Sequence, residues 1–230
     1  MTAGIEGLLR ELEERGDPAQ ARKLKVRYKT PEKVLGVPTP ALKRALAAWA
    51  AREGGPPSIE GLARLFASGV CEARLAAVEL ALARRSDWDE RWMELFLCWA
   101  RTTDTSWHLA DKVGRGILGP LLLSGALAPA RLDELAASSE VWPWRAGLSA
   151  LGLSLAQGDR DWPRFERFAR ACVGPGSRFA LKRPALNGLR SALRSAFHGC
   201  PSRAKDFLAR HEPELPGAAA AVLGPDGEGG

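Results

Sequence analysis

The feature that most restricts what this chain can become is a long-range period. Cys71, Trp107, Trp142 and Phe179 each stand at or near the start of an apolar helical run, at intervals of 36, 35 and 37 residues. Each interval holds a long apolar helix, a turn and a second helix: 71–84 then 88–101, 105–123 then 129–137, 142–156 then 162–173, 178–195 then 201–210. A two-helix unit of that size cannot bury its apolar face alone, so successive units must stack against one another.

Local composition agrees with helices throughout. Ala, Leu, Arg and Glu dominate, β-branched residues are few, and no run alternates with the period of a strand. Capping residues followed by Pro mark helix starts at Asp17–Pro18, Thr39–Pro40 and Asp161–Trp162–Pro163. Apolar residues fall at three-and-four spacing, as in Ile5, Leu8, Leu9, Leu12 and in Leu42, Ala45, Leu46, Trp49. The fold expected is all-α: a HEAT-like α-solenoid of stacked two-helix repeats. An irregular helix bundle could carry the same spacing, but the agreement of the intervals within two residues favours the solenoid. One domain is expected over residues 1–211. Residues 212–230, rich in Pro, Gly, Ala and acid with no periodic apolar face, are expected to form a disordered tail.

Charge is unevenly placed along the chain. Residues 1–140 carry 20 basic and 19 acidic groups, residues 141–211 carry 13 and 4, and residues 212–230 carry 0 and 4. Residues 22–44 add a second basic segment, in which Arg22, Lys23, Lys25, Arg27, Lys29, Lys33, Lys43 and Arg44 stand against Glu32 alone. Such segments suit a polyanion, although a pair of solvated helix faces has the same composition. The four cysteines (71, 98, 172, 200) form no CxxC pair, and with three His in the chain they argue against a zinc site or a disulfide framework. The longest charge-free stretch, Gly116–Ala130, is 15 residues with two prolines, too short to span a bilayer. No charged-then-apolar leader opens the chain. A cytoplasmic monomer with reduced thiols, no cofactor and no membrane partner is expected.

Gly114-Arg-Gly-Ile-Leu-Gly119 matches the dinucleotide fingerprint letter by letter. That motif works only between a strand and a helix N-terminus, and here it sits inside a helical run. Small residues that let two helices approach closely explain it better. Walker, deaminase and G-x-S-x-G patterns are absent.

Trp107 and Asp111 are four residues apart, one above the other on a helix face. One repeat later comes Trp142-Pro-Trp144-Arg145, and one further Phe179-Ala-Leu-Lys182-Arg183. Stacking sets equivalent positions of neighbouring repeats side by side, roughly 10 Å apart. A carboxylate, aromatic rings and cations would then share one concave basic face. For Trp49 and Trp99 core packing is the better reading; for Trp107 core and site readings stand level.

Three segments carry a family resemblance: Tyr28–Arg44 with Leu-Gly-Val-Pro-Thr-Pro at 35–40, Thr103–Leu123 with Ser-Trp-His-Leu-Ala-Asp, and Ser138–Ala146 with Trp-Pro-Trp-Arg-Ala. In content, order and spacing they resemble the AlkD-like DNA alkylation repair glycosylases, over roughly residues 1–211. The resemblance implies a HEAT-like solenoid that holds duplex DNA containing alkylated bases in a basic groove and excises cationic purines of the 3-methyladenine and 7-methylguanine type. It implies that Trp107 packs against the deoxyribose of the lesion, that Asp111 is the catalytic carboxylate, and that Arg145 contacts the DNA backbone near the lesion; Trp144, beside it on the same basic face, is expected to touch DNA as well. Thr39 and Lys43, with Tyr28, would form an N-terminal backbone contact. Where the family's second sugar-packing tryptophan falls, near position 186, this chain has Leu186.

These residue types suit that reaction. An N3- or N7-alkylated purine is already cationic and leaves neutral, so the charge that develops is an oxocarbenium-like cation on the sugar. A fixed carboxylate stabilises that charge and orients a water, and the indole face of Trp107 favours the same cation. Arg145 would favour the ionised form of Asp111 while binding a phosphate. Lys182, Arg183, Arg190 and Arg194 lie in the basic stretch and would hold the duplex by counterion release, with little sequence preference. Two other readings remain: a non-catalytic DNA-binding solenoid, suggested by Leu186, and a HEAT-type scaffold for an acidic protein partner.

Overall fold

A computed structural model describes residues 4–55, 57–102, 106–180 and 182–215. Among these, the chain is all-helical apart from one isolated bridge between Lys33 and Val70. No described helix is long and apolar enough to cross a membrane. By contacts the chain divides into two compact units, Met1–Trp99 and Ala100–Gly230.

The first unit contains α1 (Gly4–Glu14), α2 (Pro18–Tyr28), α3 (Thr39–Glu53), α4 (Ile59–Phe66), α5 (Cys71–Leu82) and most of α6 (Glu90–Thr102). Helix α5 is its centre: ten of its twelve residues are buried, because α3 and α4 pack against it. Trp49 and Trp99 are core residues, the latter stacked on Phe66 with centroids 4.6 Å apart. Asp17 caps α2 as its sequence suggests, accepting from the Ala19 and Gln20 amides. Helix α3 begins one residue earlier than expected: Pro38 holds the capping position and Thr39 is the first helical residue.

The Leu35-Gly-Val-Pro segment before α3 is held by a buried carboxylate. Glu72, on α5, accepts the backbone N–H groups of Leu35, Gly36 and Val37 at 2.9, 2.7 and 3.2 Å. A carboxylate with three amide donors is satisfied without water, which is why an acid can sit in the apolar face of α5.

The second unit contains α7 (Trp107–Val113), α8 (Gly119–Leu123), α9 (Asp133–Ala137), α10 (Val141–Leu155), α11 (Trp162–Ala169), α12 (Arg183–Gly199) and α13 (Pro201–Arg210). A π-type turn over Gly114–Leu118 joins α7 to α8, and a 3₁₀ turn over Pro129–Leu132 leads into α9. Helix α10 is the hub, with the α7–α8 run on one side and α12 on another. Gly114 permits the first of these approaches: a Cβ there would lie 2.1 Å from the Ala146 carbonyl oxygen. The glycine-rich run at 114–119 therefore serves helix packing, as its helical context indicated.

Two expected elements shift. The first helix of the last pair starts at Arg183 rather than 178, because Pro184 has no N–H and is tolerated only in the first turn. Phe179 precedes that helix in a turn, fully buried against Trp144. The helix expected over 162–173 ends at Ala169 and closes in turns. Most of the expected tail lies outside the described residues; of its first four, Leu215 is buried and its N–H reaches the His211 and Glu212 carbonyls.

Candidate functional site

The second unit brings Trp107, Asp111 and Arg145 together. Ser106 caps α7 through its hydroxyl, accepting the Leu109 amide, and so sets the first turn that carries Trp107. Asp111 follows one turn later, just before the π-type turn. From α10, Arg145 donates to the carboxylate in bidentate fashion, Nε to Oδ1 at 2.8 Å and Nη2 to Oδ2 at 2.6 Å. Ser149, one turn further along α10, donates to Oδ1 at 2.7 Å. The third nitrogen of the guanidinium, Nη1, donates to the Pro184 carbonyl at the start of α12 at 2.7 Å.

One carboxylate is thus held by two residues of one helix, and its cationic partner is held by another. Planar guanidinium matches carboxylate geometry, so the pair fixes orientation as well as charge. Gly188 on α12 lets the Arg145 stem lie close: a Cβ there would be 3.3 Å from Arg145 Cγ. The Arg145 side chain is 7% exposed and that of Asp111 29%, so the carboxylate is the partner that solvent reaches. The Trp107 ring lies on the same side, its centroid 6.0 Å from the Arg145 Cζ. Beside Asp111 opens a cleft of about 70 Å³, lined also by Arg115, Ser149, Gly152, Ser191, Ala192 and Ser195.

Several expected site residues are placed otherwise. Trp144 is fully buried, its Nε1 donating to the Phe168 carbonyl at 3.0 Å and its ring against Phe168 and Phe179. It is a core residue and cannot touch DNA. Arg145 is committed to Asp111 and Pro184, with too little exposure to serve as an open phosphate ligand. Tyr28 is also buried, and desolvation pushes its phenol up from the ordinary value.

The remaining basic residues divide by exposure. Lys182 and Arg183 are exposed at the start of α12, Lys182 Nζ standing 5.1 Å from the Phe179 ring centroid. Arg190 and Arg194 are half-buried on the same helix, next to the cleft residues Ser191 and Ser195, and Leu186 is half-buried one turn earlier. In the first unit, Thr39 and Lys43 are exposed one turn apart on α3, with Lys43 Nζ 3.5 Å from Glu79. No group of His, Cys, Asp and Glu able to hold a metal occurs among the described residues. Burial pushes the Cys71 and Cys172 thiols up to about 12, which leaves them inert at neutral pH.

Sequence reasoning missed Ser149, Arg115 and the Pro184 carbonyl. Ser149 had a usable signal, since it lies four residues after Arg145, on the same face of a helix whose other residues, Ser154 apart, are apolar. The carbonyl had none, because backbone acceptors are not written in residue identities.

A family model described as DNA alkylation repair enzyme matches residues 8–220. The chain belongs to that family. A comparison with curated proteins finds none that matches.

Proposed function

We propose that this protein is a DNA glycosylase that releases cationic alkylated purines from duplex DNA, with Asp111 as the stabilising carboxylate. The observation that carries the reading is the Asp111 carboxylate itself: fixed by three donors, flanked by an indole, and still open to solvent. Membership in a DNA alkylation repair family supports a substrate of this kind.

In this reading the alkylated base, already positive, departs with the bonding electrons and becomes neutral. Positive charge then grows on the deoxyribose. Asp111 meets that charge with an oriented carboxylate that need not reorganise, and the Trp107 ring presents its negative face to the same sugar. Arg145 and Ser149 position Asp111 and do not touch the sugar. The small cleft beside Asp111 would hold the attacking water, which adds to the anomeric carbon and loses its proton to bulk water, leaving a neutral sugar hydroxyl. Lys182 and Arg183, exposed at the start of α12, would bind backbone phosphates, with Arg190 and Arg194 along the same helix and Thr39 and Lys43 on α3. Within the second unit the helical pairs would stack as a solenoid, with the α12 cations on its concave face.

A base-release assay tests the reading. Duplex DNA containing 7-methylguanine should lose free base, and Asp111→Asn should slow release by roughly 100- to 1000-fold, as loss of a preorganised electrostatic group does. Duplex affinity should change by no more than a few fold. Release undiminished in the variant would remove Asp111 from the chemistry. Leu186 favours a second reading, a DNA-binding protein without base release, because the second aromatic wall for the sugar is absent there; wild-type protein that binds the duplex and releases nothing would establish it.

A further inference from the structure

Helix α2 is anomalous within its unit. Over residues 22–29 it and its C-cap carry Arg22, Lys23, Lys25, Arg27 and Lys29, all exposed, and no acidic residue occurs between Asp17 and Glu32. Of its eleven residues only Tyr28 is buried. Elsewhere in the same unit several exposed cations find carboxylates, Arg15 and Arg52 on Glu11, Arg64 on Glu6 and Arg91 on Glu60, and those that do not among the described residues, Arg10, Arg44 and Arg85, are spread over three elements rather than gathered on one helix. Arg22, Lys23, Lys25 and Lys29 have no ion-pair partner among the described residues.

The arrangement works against the helix that carries it. Arg22 and Lys25 are three apart and Lys23 and Arg27 four apart, so like charges face each other across one turn, which opposes helix formation. The macrodipole favours Lys25 and Arg27 in the last turn but gives no such reason for Arg22 and Lys23. A helix that neither buries an apolar face nor balances its charge is better matched to an external anion than to the fold.

We infer that the exposed cationic face of α2 is a second contact for the phosphate backbone of duplex DNA, separate from the Asp111 cluster and from Thr39 and Lys43. The inference rests on the reading of the protein as a duplex-binding repair enzyme. Arg22 to Lys29 spans about 10 Å of helix axis at ~1.5 Å per residue. Duplex DNA presents one charge per ~1.7 Å of its own axis, a density that engages several cations at once. Three of the five are lysines, point charges without a planar fork, which suits backbone attraction rather than base reading. An anionic membrane fits less well, because a surface-lying helix needs an apolar face and α2 exposes one large apolar residue, Val26.

The test uses the full-length chain carrying Lys23→Glu and Lys25→Glu, and separately Lys23→Gln and Lys25→Gln, with binding to an unmodified fluorescent duplex at several salt concentrations and thermal melting of each protein. The Glu pair should weaken binding about tenfold near 100 mM salt and flatten the log Kd against log salt slope by about 2, near 0.9 for each phosphate no longer neutralised. The same variant should melt higher than wild type, since an acid at position 23 faces Arg27 and an acid at position 25 faces Lys29. The Gln pair should show the loss of affinity with a smaller gain in melting temperature. Higher melting with unchanged affinity and slope identifies α2 as a solvated face and overturns the inference. Stronger competition by single-stranded RNA than by duplex assigns the face to another partner and overturns it as well. Wild-type protein with no salt-sensitive binding would instead overturn the duplex-binding reading, and this inference with it.

Discussion

Helix α2 and the start of α10 both concentrate charge, and they do so in opposite ways. On α2 the cations are exposed and share one sign, and four of them, Arg22, Lys23, Lys25 and Lys29, meet no carboxylate among the described residues. Around Arg145 each polar atom is committed: the guanidinium grips Asp111 and the Pro184 carbonyl, and Ser149 completes the carboxylate. The first arrangement acts at a distance and is screened within about 8 Å at physiological salt. The second acts by geometry and is screened little. Attraction and orientation are thus assigned to different elements, and each can be broken without the other.

The largest effect on stability should come from the oriented region. Arg145→Leu strands the Asp111 carboxylate and the Pro184 carbonyl, and a broken buried pair costs about 3–5 kcal/mol when both partners are sealed. Because Asp111 is 29% exposed, roughly 2–3 kcal/mol is expected here, read by urea denaturation. Arg183→Leu, on the exposed start of α12, should stay within about 0.5 kcal/mol. Equal losses in the two variants would erase the distinction between them.

Gly114→Ala comes next. The new Cβ would meet the Ala146 carbonyl at 2.1 Å, and backbone on backbone cannot yield cheaply. Overpacking of this type costs about 1–3 kcal/mol. Because the displaced run also carries Asp111, base release should fall together with melting temperature, whereas duplex affinity through α2 should hold. A stable, fully active variant would show that the close approach at Gly114 does not set the site.

What the sequence disclosed follows the same division. Helical periodicity, the Asp17 cap and the 35–37-residue spacing are local or repeated signals, and they led to an all-helical chain and to the pairing of Trp107 with Asp111. Phe179 misled for a definable reason: its spacing marked a repeat, but Pro184 delays the helix and leaves the ring to pack in a turn. Trp144 and Arg145 stand side by side in sequence, and sequence alone gives both the same expectation, contact with DNA. Helical rotation turns the indole into the core and the guanidinium onto Asp111. Which way a side chain faces depends on what packs beside it, and Phe168, Phe179 and Pro184 come from distant elements. Glu72 shows the same gap, since an acid in an apolar helix gives no hint of three amides 35–37 residues away.

Ser149→Ala should act on the site more gently. It removes one of three donors to Asp111 and leaves the bidentate pair intact, for about 1 kcal/mol. Base release should fall severalfold at constant duplex affinity, and the ratio to wild type should be the same at 50 and 200 mM salt. A ratio that moves with salt would mean that the hydroxyl serves DNA binding and not the carboxylate.

The smallest change expected is at Lys43, the exposed cation of α3 that stands 3.5 Å from Glu79. Its pairing with Glu79 is solvent-exposed on the lysine side, so Lys43→Ala should alter stability by less than about 1 kcal/mol. As one phosphate ligand among several, it should lower affinity by a few fold, equally for unrelated duplex sequences, and reduce the salt slope by about 1. Combined with the α2 substitutions, the slope changes should add, because separate phosphate contacts release counterions independently. A combined slope no smaller than that of the α2 variant alone would mean that Lys43 spends its charge on Glu79 and that α3 does not contribute to holding the duplex.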